Sequence, residues 1–131
     1  MKLYKTLASA LAAATIGISA PVLAHPRLVA ATPAQSASVN HVDRIVLTFS
    51  EPLTAAFSGF DVVMTAMPGM APGHQHQPLK VGGIIVRVGP DGKSLVGTLA
   101  RRLPQGSYDV NWRAVSTDTH RITGKISFTV R

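Results

Sequence analysis

From Tyr108 to the end of the chain, side-chain character changes at nearly every step. Tyr108, Val110, Trp112 and Ala114 alternate with Asp109, Asn111 and Arg113, and Ile126, Phe128 and Val130 alternate with Lys125, Ser127, Thr129 and Arg131. A period of two belongs to a strand with one face in a core and the other in water, and it excludes a helix. Shorter runs upstream behave alike. Arg44 to Phe49 puts Ile45, Leu47 and Phe49 on one face. Phe60 to Met64, Gly83 to Val88 and Ser94 to Leu99 read as further strands, the last two joined by the turn Gly89-Pro90-Asp91-Gly92. Leu103-Pro104-Gln105-Gly106 is a second turn, Arg27 to Ala31 a short strand closed by Thr32-Pro33, and Gln35 to Asn40 a polar loop. Leu53 to Phe57 has room for one helical turn. About seven short strands with almost no helix predict an all-β, antiparallel sandwich or barrel that buries Trp112, Phe49 and Phe128 together.

The strands begin only after residue 24. Ahead of them, Lys2 and Lys5 precede an apolar run from Leu7 to Ile18, and Val22-x-Ala24 is the small-residue pattern that a signal peptidase accepts. A cut after Ala20 would leave Pro21 behind the scissile bond, so Ala24 is the expected site. The run is short for a membrane span of roughly 20 residues. Residues 1–24 are therefore expected to be a signal peptide, with 25–131 as one exported domain. That domain has 107 residues, keeps 11 of the 13 basic residues against 6 acidic ones, and carries a formal +5. The charge is scattered, with Arg101-Arg102 as the one basic doublet, so nucleic acid is not the expected partner. No second apolar run follows, and the processed chain is not expected to sit in the membrane. A monomer is expected.

Cleavage after Ala24 would make His25 the N-terminus, and its α-amino nitrogen and imidazole Nδ1 could close a chelate ring on a metal ion. Pro26 has no N–H to surrender, so the backbone-amide coordination common at free N-termini is closed off. Further ligands must come from elsewhere in the fold. Asp118-Thr119-His120 supplies two, because residues two apart in an extended chain point the same way. Imidazole, amine and carboxylate together suit Cu(II), which leads the Irving–Williams order. Glu51 follows a strand end and could reach the same ion if its loop lies beside the N-terminus.

A second, softer set is Met64, Met67, Met70, His74 and His76. Pro68, Gly69, Pro72, Gly73 and Pro78 forbid a helix through it, so methionines spaced by three cannot form a buried helical stripe here. Met64 ends a strand and can also serve the core. Thioethers are soft neutral ligands that favour Cu(I) and bind without deprotonation. The chain has no cysteine, which excludes a blue-copper centre and leaves methionine as the soft donor. His41 stands alone in a polar loop. No phosphate loop, nucleophile elbow or H-E-x-x-H zinc motif is present.

Taken together, His25-Pro26, the segment Leu47-Thr48-Phe49-Ser50-Glu51-Pro52-Leu53, the Met64 to His76 loop and Val115-Ser116-Thr117-Asp118-Thr119-His120 resemble the CopC/PcoC family across essentially the whole processed chain. The resemblance implies a periplasmic copper-binding protein with a Greek-key β-barrel related to the immunoglobulin and cupredoxin folds. It implies a Cu(II) site from His25, Asp118 and His120, with Glu51 near it, and a Cu(I) site from Met64, Met67 and Met70 at the opposite end. Where methionine-rich members carry a further Met, this chain has His74 and His76, and which of the two would bind stays open. The implied role is a copper carrier or chaperone, not an enzyme, serving homeostasis or resistance. Its implied partner is a CopD-type membrane copper permease or another periplasmic copper-resistance protein.

Two other functions compete. An N-terminal histidine chelate is also how copper polysaccharide monooxygenases hold their metal. Here, though, Tyr108 and Trp112 fall on a core face, leaving no aromatic platform for a sugar chain, and a carboxylate would fill a position that oxygen needs. The other competitor is a metal-free immunoglobulin-like module.

Overall fold

The computed structural model describes residues 25–70 and 77–131. Among the described residues nine strands form: β1 (Leu28–Thr32), β2 (Ser38–Val39), β3 (Arg44–Phe49), β4 (Gly59–Ala66), β5 (Leu79–Lys80), β6 (Ile84–Val88), β7 (Ser94–Leu99), β8 (Gly106–Val115) and β9 (Arg121–Val130). A single 3₁₀ turn, Ala55–Phe57, stands between β3 and β4. The strands make two sheets, one ordered β1-β3-β7-β6 and the other β2-β9-β8-β4-β5. The chain passes from sheet to sheet at β1–β2, β2–β3, β3–β4, β5–β6 and β7–β8, the crossovers of a Greek-key sandwich.

All the pairings are antiparallel except β2 with β9, which runs parallel. The two strands absent from the expected set, β2 and β5, are two residues long and edge their sheet, too short for any alternation to register. β9 begins at Arg121, five residues ahead of its apolar alternation. Ile122 and Gly124 continue its inner face, and Gly124 sits opposite Trp112 and beneath its indole, where a Cβ would collide with the ring. A bare backbone there lets the indole lie down across the neighbouring strand. Trp112 also meets Phe49 of the other sheet edge to face at 5.0 Å, a geometry worth ~0.5–1.5 kcal/mol beyond burial.

The inner faces of both sheets close around Ile45, Leu47, Phe49, Val62, Leu95, Tyr108, Val110 and Phe128. Tyr108 is fully buried, and its hydroxyl donates to the Pro104 carbonyl at 2.7 Å, pinning the turn that enters β8. Burial raises the Tyr108 pKa above the ordinary phenol value, so it remains a donor. β8 and β9 form the longest hairpin, in register from Gly106–Val130 to Val115–Arg121. At ~3.4 Å per residue its two ends are roughly 30 Å apart, and the two groups of candidate ligands lie at those ends. Among the described residues, no helix is long and apolar enough to cross a membrane.

Candidate metal centre

The loop 116–120 joining β8 to β9 carries Asp118 and His120. It is a tight turn: Thr119 N–H donates to the Ser116 carbonyl at 3.0 Å, and Ser116 N–H donates to the His120 carbonyl at 3.1 Å. Thr119 takes a left-handed backbone, φ 73°. The expectation that Asp118 and His120 converge by strand alternation is thus corrected, since they converge because the chain reverses at Thr119. The Asp118 carboxylate folds back into the loop, where its Oδ1 accepts from the Ser116 hydroxyl and, at 3.2 Å, from the His120 N–H. The Ser116 hydroxyl, and after it the His120 N–H, hold the Asp118 carboxyl below the ordinary carboxylate value, so it stays an anion.

His25 reaches this loop from the other sheet. Pro26 is fully buried. The next residue is tied to the end of β3 on both sides, with Arg27 N–H donating to Ser50 Oγ at 3.0 Å and Ser50 N–H donating to the Arg27 carbonyl at 2.9 Å. These anchors bring the His25 ring edge-on to His120, with centroids 4.6 Å apart and planes at 78°. His120 Nδ1 lies 3.1 Å from Asp118 Oδ2. That approach is off the line a ring N–H would need, and Nδ1 is buried without a hydrogen bond. A buried imidazole nitrogen without a hydrogen bond, beside an ionised carboxylate, is what a site for a metal cargo would present.

The three groups meet pairwise through His120. Among the described residues, no three His, Asp or Glu side chains converge tightly enough to enclose an ion as they stand. The α-amino group expected as a further donor is not free in the uncleaved chain. Glu51 is half-buried and follows Ser50, so its loop does run beside the N-terminal segment, but no hydrogen bond or ion pair of its carboxylate is found among the described residues.

At the far end of the hairpin, Met64, Met67 and Met70 line one small recess with Gln77 and Leu79. Met64 stands opposite Tyr108 and Leu79 and also packs against the core, so it belongs to both the recess and the interior. Met67 is exposed, which leaves its thioether open to a ligand from solvent. His74 and His76 lie outside the described residues. His41 is exposed, as expected for a lone loop histidine. Two contributors escaped the sequence reading, namely Ser116, which fixes Asp118, and Gln77, which closes the recess. The Ser-x-Asp spacing was a signal for the first, whereas nothing marked the second.

The model of the CopC domain family matches residues 28–131, beginning just after His25. Copper resistance protein C of Pseudomonas syringae pv. tomato is 46% identical over 131 residues, the whole of both chains. Copper resistance protein C of Escherichia coli is 42% identical over 116 residues, 88% of this chain and 89% of its own. Among solved structures, the crystal structure of PcoC, a methionine-rich copper resistance protein from Escherichia coli, superposes with a TM-score of 0.73 at 44% identity, covering 82% of this chain and all of that one.

Proposed function

The chain belongs to the CopC domain family, and from that premise we propose that it is an exported, periplasmic copper carrier with two sites of different softness. Removal of residues 1–24 frees the His25 amine. Amine, His25 imidazole, Asp118 and His120 then bind Cu(II), with Glu51 near enough to add charge. Met64, Met67 and Met70 bind Cu(I), joined by His74 or His76. The carrier passes copper to a CopD-type membrane permease or another periplasmic copper-resistance protein. The observation that carries this reading is the edge-on pairing of His25 with His120 beside the ionised Asp118.

The donor sets support the division of labour. Nitrogen and carboxylate oxygen suit Cu(II), whereas thioethers suit Cu(I) and survive an oxidising compartment without forming disulfides. The chain carries copper without turning over a substrate. Trp112 and Tyr108, the residues that would stack on a sugar ring, are buried in the core.

The test is a Cu(II) titration of two proteins, one beginning at a free His25 and the same protein acetylated at the His25 α-amino group. Acetylation turns the amine into an amide without offering a new one and should weaken Cu(II) by at least about tenfold, ~1.4 kcal/mol. Equal affinity would remove the N-terminal chelate from the proposal. A processed protein that takes up no copper at all would end the carrier reading.

A further inference from the structure

Beside the metal loop, on the outer face of the second sheet, is a groove of about 440 Å3 lined by Thr54, Phe57, Arg113, Val115, Thr119 and Arg121. Val115 forms its floor, and the 3₁₀ turn forms one wall. That turn is strapped to the end of β8, with Thr54 N–H donating to the Val115 carbonyl at 2.7 Å and Val115 N–H donating to Ser58 Oγ at 2.9 Å. A segment so firmly tied would normally bury its one large side chain. Phe57 is instead 64% exposed, and no residue of the turn is buried.

The opposite wall is cationic. In register Arg113 faces Thr123 and Val115 faces Arg121, so the two arginines are diagonal neighbours on one face. Neither makes an ion pair among the described residues. The carboxylates available on that face are taken, Asp61 by Lys80 at 3.2 Å and Asp109 by Lys125 at 3.1 Å. The Arg113 guanidinium lies over Gly59, directly opposite on β4, with Nη2 3.1 Å from where a Cβ would stand, so a side chain at 59 would make it give way slightly.

Two guanidiniums without counter-charges beside an exposed phenyl ring form a surface complementary to carboxylates flanking an apolar side chain. We propose that this groove docks an acidic, apolar segment of a protein partner, and that docking there places the partner against the metal loop. Thr119 lies between Asp118 and His120, and Arg121 follows His120 directly, so a segment in the groove touches the loop that carries two copper ligands. The consequence for copper transfer rests on the function proposed above, whereas the docking itself does not.

The probe is a synthetic peptide alternating Asp and Leu, titrated into the isotopically labelled, copper-free protein and followed by NMR. The expected result is saturable shifts at Phe57, Arg113, Thr119 and Arg121, weakened by raised salt. The same peptide with Asn for Asp should bind at least about tenfold more weakly, as should the original peptide to Arg113→Gln/Arg121→Gln or to Phe57→Ser. These residues are exposed, so the variants should fold, and unchanged spectra elsewhere verify it. Cu(II) titration of the same variants keeps the two proposals apart, because docking is read without metal and the variants retain all the proposed ligands. Equal binding of the Asn peptide, indifference to the substitutions, or no shift at millimolar peptide would overturn the inference. So would shifts of these residues only with phosphatidylglycerol vesicles, which would assign the face to a membrane.

Discussion

Filling the proposed methionine site should leave the proposed histidine site almost undisturbed. The proposed Cu(II) ligands sit on the loop after Val115, while the methionine recess lies beside Gly106, at the start of β8. The ten-residue strand between them spans roughly 30 Å. At that distance a univalent and a divalent ion repel by about 0.3 kcal/mol in water. A Debye length of about 8 Å at physiological ionic strength removes most of even that. Since tenfold in affinity takes 1.4 kcal/mol, the Cu(II) dissociation constant should change by less than about twofold. The assay is Cu(II) competition against a chelator of known strength, with and without one equivalent of Ag(I), a redox-inert stand-in for Cu(I). Native mass spectrometry should find both metals on one chain. Displacement of Cu(II) by Ag(I), or a change of tenfold or more, would show that the two sets share an ion and would refute the separation.

Gly124→Ala drives a methyl group into the Trp112 indole and should cost ~1–3 kcal/mol of stability by overpacking. For a domain of this size that is a fall in Tm on the order of 10 °C, and an unchanged melting curve would show that the ring has room to move. Acid sensitivity should trace to two carboxyls held below their ordinary value, Asp91 by Ser94 and Asp118 by Ser116. Because their folded pKa values are lowered, their contribution to stability is complete above the unfolded value of about 3.9 and is lost as pH falls through the folded values. The copper-free Asp91→Asn/Asp118→Asn protein should therefore lose less stability than the parent between about pH 5 and 2, as read from denaturation midpoints. Parallel curves would contradict this.

The periodicity of β3, β8 and of the second half of β9 was legible because each has one face in the core and one in water, whereas β7 was found from the turn before it. The first half of β9 was not. Arg121 to Lys125 has only Ile122 to mark an inner face, and the purpose of Gly124 appears only once Trp112 is seen across the hairpin. The pairing of Asp118 with His120 was visible as a spacing, though its cause, the left-handed turn at Thr119, was not. His25 could be suspected from the residues before it, but its contact with His120 depends on strands from both sheets. The groove formed by Phe57, Arg113 and Arg121 left no trace in the sequence, because its residues come from three elements that only the strand register unites.

The 30 Å between the two proposed sites also limits how copper could move from one to the other. Redox-gated transfer within one chain would need a route between the Met70 and Asp118 ends of the hairpin. In the fold no side chain reaches across β8, and the sandwich interior between the ends is filled by Tyr108, Val110, Trp112 and their neighbours. Close-packed interiors of this kind offer no path for an ion. Oxidation of copper at the methionine site should therefore release it to solvent or to another molecule, and never pass it internally. Two complementary variants test this. Met67→Ala/Met70→Ala keeps only the proposed Cu(II) site, and His25→Ala/His120→Ala keeps only the methionine site. Load the second with Cu(I), mix it with the first in the metal-free state, add ferricyanide, and follow Cu(II) at the histidine site by electron paramagnetic resonance. Transfer should proceed about as fast as in the parent protein at the same concentration of sites. A parent faster by tenfold or more would demand an internal route, and the rigid separation of the two ends would have to be abandoned.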